Sequence, residues 1–239
     1  MSSRAFLALW NGIDHARRQP EYEAWHSFEH VPERVGLPGF LEALRYRQST
    51  AGAPPYYFTC YWLDDIGALS SGPYGEVFQA PTNWTARMRG HLTRFLRLPC
   101  VLEGAHGVSS GSRVVTLHLR LEQPDRLDAE LAGLVGEGAA LAAQWGTYAE
   151  TATIPIANAA TDAPQPGRDR VVLLHHLDGG AALAAAQRLL SRLGAAPVTP
   201  PQPFELLTTT RRENLAGPTA ARQPPREDLR QRFEEGESA

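Results

Sequence analysis

Apolar and polar positions over the first hundred residues alternate and recur so as to predict strand, helix, strand, strand, helix, strand. Residues 4–10 read as a short, mostly apolar strand. Gln19-Pro20 opens a helix, with proline in the first turn and Glu21 and Glu23 placed to suit the positive end of the helix dipole. Residues 41–48 and 56–63 read as strands, separated by a stretch rich in Ser, Thr, Gly and Pro that is a loop by composition. A second helical region follows Asp64-Asp65, broken near Gly72-Pro73 and near Pro81, before a strand at about residues 95–102.

The second half repeats this order. Residues 103–112 carry Gly104, Gly107, Ser109, Ser110 and Gly111 and read as a flexible linker. Beyond it the pattern predicts a strand at 114–121, a helix at 124–144, strands at 147–156 and 171–177, an Ala-rich helix at 181–193 and a strand at 204–210. The third strands of the two halves even share an ending, Tyr61-Trp62-Leu63-Asp64 and His175-His176-Leu177-Asp178. The predicted class is therefore α+β: two tandem ferredoxin-like βαββαβ repeats. A four-stranded sheet with helices on one face needs a cover on the other, and packing the two repeats sheet to sheet supplies it within one chain. The expected boundaries are 1–103 for the first repeat, 104–112 for the linker, 113–213 for the second repeat and 214–239 for a mobile tail, with a short helix near 226–235.

Composition narrows the function classes. A formal net charge of -3 with 43% hydrophobic and 21% charged residues fits a globular protein without the basic excess of a nucleic-acid binder. All 23 basic residues are Arg, so lysine Schiff-base or lysine general-base chemistry is excluded. Cys60 and Cys100 sit in apolar strand-like runs and read as buried thiols of a reducing compartment. With no signal-like apolar run at the N-terminus and no stretch of ~20 apolar residues to span a bilayer, the expectation is a cytoplasmic protein with no membrane partner.

The chemistry concentrates between Tyr22 and Arg47. On a helical wheel, Ala24, Trp25, Phe28, Val31, Pro32 and Val35 fall on one side and Tyr22, His26, Glu29, His30 and Glu33 on the other, which predicts a solvated histidine face. Pro32 lacks the donor that would bond Phe28, so the helix is expected to kink or stop there, leaving His30 in a last turn. Unpaired carbonyls at such an end would favour the imidazolium. His26-Ser27-Phe28-Glu29-His30 also spells H-x-x-E-H, the inverted zinc-peptidase pattern. A catalytic zinc needs a third protein ligand and a cleft, so the expectation is no metal, with a zinc hydrolase as a remote alternative.

Trp25, Glu29-His30, Pro32, Arg34, Pro38-Gly39-Phe40 and Arg45-Tyr46, with the later Pro81 to Thr85 run, resemble small bacterial proteins of the dimeric α/β-barrel superfamily, near the EthD-like and antibiotic-biosynthesis-monooxygenase-like groups. The resemblance covers mainly residues 5–100. It implies an intrachain dimeric α/β barrel, acting as a monomer or as a homodimer. It also implies a small-molecule ligand, often aromatic, handled without a cofactor by isomerase, cyclase, lyase or oxygenase chemistry. His30 would be the acid/base group and Glu29 its partner. Arg34 and Arg45 would hold an anionic group, and Tyr46, Tyr61 and Trp62 would line an aromatic cavity. Because some branches of the superfamily bind haem, His118, His175 or His176 would be axial ligands in a remote haem-binding alternative. His175 and His176 are adjacent on a strand and point to opposite faces. The alternative from another class is a non-catalytic binding or scaffold protein, in which Glu29, His30, Arg34 and Arg45 form a structural polar network.

Overall fold

The computed structural model describes residues 4–48, 55–122, 124–151, 164–215, 217 and 220–237. Eight strands form the frame: β1 (Ala5–Ile13), β2 (Phe40–Gln48), β3 (Tyr56–Leu63), β4 (Leu92–His106), β5 (Arg113–Arg120), β6 (Ala142–Tyr148), β7 (Asp169–His176) and β8 (Gln202–Arg211). They close into one antiparallel barrel in the order β1-β3-β2-β8-β5-β7-β6-β4, with β4 returning to β1. The strands of the first half lie in the order β4-β1-β3-β2 and those of the second in the order β8-β5-β7-β6. The two sets meet at their edges, through β2 with β8 and β4 with β6, so backbone hydrogen bonds as well as face packing join them. A closed sheet leaves no strand edge exposed.

Strand alternation sorts the side chains. Phe6 and Trp10, Phe58 and Cys60, Leu44 and Tyr46 point into the barrel with Val114, Val171 and Phe204. The intervening positions face outward to the helices. In the first half Leu7, Ala43 and Tyr61 pack under α2 (Val31–Val35) and α3 (Gly72–Gln79). In the second half Leu117, Leu174 and Trp145 pack under α5 (Asp125–Gly136) and α6 (Gly179–Leu193). The remaining helices are α1 (Gln19–Trp25), α4 (Asn83–Arg89) and α7 (Glu227–Glu237). Among the described residues no helix is long and apolar enough to cross a membrane.

Three expected elements differ. The helix predicted over 124–144 ends at Gly136, and Ala142–Tyr148 is a strand. Ala and Gln favour a helix locally, but pairing with β4 and β7 on both sides of β6 outweighs that preference. Of the strand predicted over 147–156, residues 152–156 lie outside the described residues. The strand expected to end at Leu102 runs on to His106, into the glycine-rich stretch. A Cβ on Gly104 would collide with Trp145 Nε1 and Asp128 Oδ1, so the bulge there takes glycine for close approach. Gly39, at φ 85°, turns the chain from α2 into β2, and a Cβ there would lie 2.6 Å from Ala68 Cβ.

The segment expected to be a mobile tail is tied to the first half, and its expected short helix is present as α7. Leu229 and Phe233 pack beside Tyr22, Trp25 and Trp84. The Arg222 guanidinium donates to Glu33, and the Arg226 backbone N–H donates to Glu29 at 2.7 Å.

Candidate functional site

The helix that carries the histidines does not stop at Pro32. It passes from α1 into a π turn at His26–His30 and continues as α2, with the Val31 N–H donating to the His26 carbonyl. The wider turn shifts the bonding by one residue just before proline, which has no N–H to contribute, so the missing donor is absorbed without ending the helix. His30 is therefore inside the helix, and no last-turn carbonyls face it. The helix is buried on both sides: Trp25, Val31 and Val35 of the expected apolar face are 0–1% exposed. Phe28, expected on the apolar face, is 56% exposed, whereas Tyr22, His26, Glu29 and Glu33, expected in solvent, are 0–5% exposed.

The buried acids are paired. Glu29 accepts the Thr82 hydroxyl at 2.5 Å on one oxygen and the Arg226 N–H at 2.7 Å on the other. Glu33 accepts from Arg34 and from Arg222. Burial pushes the His26 imidazole well below its ordinary pKa, helped by the Arg45 and Arg34 charges. Burial does the same to His30, with Arg34, His26, Arg89 and Arg45 adding to it. The expectation of an imidazolium at His30 is thereby reversed: both rings are neutral at pH 7.

Between this helix and the outward face of β1 and β3 lies a cavity of about 330 Å³. Its floor is strand side chains such as Leu7, Leu9, Thr59 and Tyr61, its roof His26, His30 and Arg34, and its flank Tyr74 and Phe78 of α3. Arg34 and Arg89 place their guanidinium carbons 5.4 and 5.2 Å from the Phe78 ring centroid. Arg97 lines the opposite flank. Several polar atoms buried here have no hydrogen-bond partner: Nδ1 of His26 and of His30, Nη2 of Arg34, Oγ1 of Thr59, the Tyr61 hydroxyl, and Nε and Nη2 of Arg97. Leaving one such group unsatisfied costs ~1–3 kcal/mol, so each of them calls for a polar partner, water or ligand, from within the cavity.

Of the residues predicted from sequence, His30, Arg34 and Tyr61 line this cavity. The other four do not. Glu29 points to Thr82 and the C-terminal segment, with both oxygens occupied, so it does not orient His30. Arg45 lies outside the lining; it donates to Ser27 Oγ at 2.7 Å and sits over the Tyr22 and Tyr57 rings. Tyr46 and Trp62 are on the barrel-facing side of their strands, against Phe58 and Phe6 respectively, because strand neighbours alternate faces. Sequence reasoning missed His26, Arg89, Arg97 and Thr59. Thr59 was legible as the residue two before Tyr61 on the same strand face, while His26 fell on the face expected in solvent.

The remaining histidines are in the second half. His175 and His118 are buried and His176 is partly exposed, consistent with opposite faces for the adjacent pair. Burial pushes His175 down to about 4. His118 is held by Asp169 at 2.8 Å and lines a cavity of about 170 Å³, too small for a macrocycle. Among the described residues no three His, Cys, Asp or Glu side chains converge as a metal site.

Barrel closure and helix placement define the class: an α+β protein with the fold of the dimeric α/β-barrel proteins. No family model matches the chain, and no curated protein matches it. Solved structures do. An anthrone oxidase-like protein aligns with 93% of this chain and 98% of its own, at 12% identity and a TM-score of 0.62. A Fusobacterium nucleatum protein described as a "putative monooxygenase" aligns over 88% of this chain and 96% of its own, at 10% identity and a TM-score of 0.56. A Lactobacillus acidophilus protein of the same description aligns over 87% and 97%, at 9% identity and 0.51. At such identities the likeness is one of fold.

Proposed function

We propose that the protein is a cofactor-independent acid/base enzyme acting on a small aromatic carbon acid, a ring compound with an acidic C–H conjugated through the ring to a carbonyl. The observation that carries this reading is the pairing, in one cavity, of an orphaned neutral His30 Nδ1 with an orphaned Arg34 Nη2. A neutral imidazole accepts a proton, and burial beside cationic guanidiniums favours the neutral ring before the substrate enters. The C–H proton passes to His30 Nδ1, the electron pair moves into the ring, and the enolate oxygen takes N–H donors from Arg34, with Tyr61 beside it. The cavity volume falls at the lower end of the range for small-molecule sites, and its aromatic flank suits a flat substrate. Glu29 and Arg45 act from behind, fixing the helix that presents His30. The fold neighbour named anthrone oxidase-like suggests the substrate class to try first.

The same reading takes the chain as two tandem ferredoxin-like repeats, residues 1–103 and 113–213, with the cavity belonging to the first. Its partner is a small-molecule ligand, and the intrachain pairing lets a monomer be complete.

The test is solvent deuterium exchange into the acidic carbon of anthrone under nitrogen, followed by proton NMR. Exchange faster than buffer in wild type, and lost in His30→Ala while calorimetry still records anthrone binding, is the expected result. Binding without accelerated exchange in wild type would leave a non-catalytic binding protein instead.

A further inference from the structure

A second set of groups, on the other face of the sheet, has no part in that chemistry. The cavity of about 170 Å³ opens at one mouth of the barrel, where inward-facing Trp10, Tyr56, Thr116 and Phe204 meet Arg94 and His118. His118 is 3% exposed, and one of its ring nitrogens, Nε2, lies 2.8 Å from Asp169 Oδ2. Asp169 is fully buried; burial raises its pKa, but hydrogen bonds from Arg120, the Gln165 N–H and His118 outweigh that and lower it. A carboxylate accepts, so Nε2 carries the shared proton and the ring is held in one orientation. The other nitrogen, Nδ1, is buried and has no partner. Over the same mouth, the Arg94 guanidinium lies 4.4 Å from the Tyr56 ring centroid. Arg94 is in the left-handed region at φ 48°, and Tyr56 donates its hydroxyl to the Arg94 carbonyl. A non-glycine residue there pays a backbone cost that the surrounding contacts must hold in place. Trp10, whose Nε1 donates to Thr116 Oγ1 at 3.1 Å, supplies a fixed flat wall.

We infer that this barrel mouth is a second ligand site, distinct from the helix-side cavity, which binds a small planar aromatic acid: its anionic group on Arg94, its ring between Trp10, Tyr56 and Phe204, and a ring hydroxyl donating to His118 Nδ1. Each part of the ligand answers one feature: a guanidinium selects an anion, aromatic walls select a flat ring, and a lone acceptor at the inner end selects a donor. The volume limits the ligand to about one ring. Asp169 is a positioning residue, acting through His118.

The test uses 4-hydroxybenzoate as the probe, titrated by calorimetry into the wild-type protein and into Arg94→Asn, His118→Gln and His30→Ala. Asn tolerates the left-handed backbone, and Gln places an amide donor near Asp169 while removing the Nδ1 acceptor, so both variants keep the local structure. Expected is a saturable component that persists in His30→Ala and weakens about tenfold or more in both Arg94→Asn and His118→Gln. Benzoate, lacking the hydroxyl, should bind wild type and His118→Gln alike. Absence of saturable binding up to about 5 mM, or binding lost in His30→Ala and untouched by the other two, would overturn the site. Neither outcome bears on anthrone exchange at His30, which is measured separately.

Discussion

The imidazole rings of His26 and His30 stand 5.0 Å apart, centroid to centroid, on the inner side of a π turn, both beside the Trp25 ring. Neither ring has a partner for Nδ1. Burial and the neighbouring guanidiniums keep both rings neutral, so the pair is not a cationic patch.

His30→Ala should lower kcat for carbon-acid exchange by about 10²–10⁴-fold, the range for removing a general base. Its folded pKa is depressed, so the base form persists as pH falls through the ordinary histidine range. The kcat/KM profile, which reports the free enzyme, should stay flat from pH 8 to below 6.5 and fall only in more acid solution. A midpoint at or above 6.5 would contradict the burial argument.

Arg34→Met removes the donor to the enolate together with the guanidinium that lies over the Phe78 ring, while keeping an unbranched apolar side chain. A loss of about 10²–10³-fold in kcat, larger than the change in KM, is expected from steady-state kinetics if the contact strengthens in the transition state. Glu33 retains Arg222, which limits the effect on folding.

Glu29→Ala leaves the Thr82 hydroxyl and the Arg226 N–H without their carboxylate. Urea denaturation should record a loss of about 1–3 kcal/mol, and bound anthrone should still exchange in the folded fraction. Full loss of exchange at unchanged stability would return Glu29 to the chemistry.

Trp25 and Phe28 make a contrast. Phe28→Asp, on an exposed ring, should change stability by no more than about 0.5 kcal/mol. Trp25→Ala removes a ring that is 1% exposed and bonded to Thr85, and should cost roughly 3–5 kcal/mol.

His175 makes stability depend on pH. Its pKa is about 4 in the fold and near 6.5 when unfolded, so between those values the unfolded chain binds more protons. Stability should therefore be full above about pH 6.5 and decline as pH falls toward 4, by roughly 3 kcal/mol for this group alone. Calorimetric Tm values at pH 7.5 and 5.0 should differ less in His175→Leu than in wild type.

Much of the architecture was legible because strand and helix periods are local. Tyr56–Leu63 is a strand with the bounds its alternation gives, and α1 starts at Gln19 where Pro20 permits it. His30 and Arg34 of the Trp25 to Tyr46 pattern, and Tyr61 of β3, were expected at a site and all line the helix-side cavity. Tyr46 and Trp62 were misplaced, although the period of two that puts Tyr61 in the cavity also turns Trp62 away from it.

The sequence by itself determined the order of elements, the absence of lysine chemistry and the segment in which titratable groups gather, since each is set by neighbours in the chain. Only the tertiary structure decided which helix face is buried, the protonation of His30 and the duty of Glu29. Those depend on strands, α3, α4 and the C-terminal segment packing around the helix, on guanidiniums arriving from α2 and α4, and on Arg226, 197 positions away in sequence and bonded to Glu29. Burial, and with it the free energy of a charge, is a property of what the rest of the chain brings alongside.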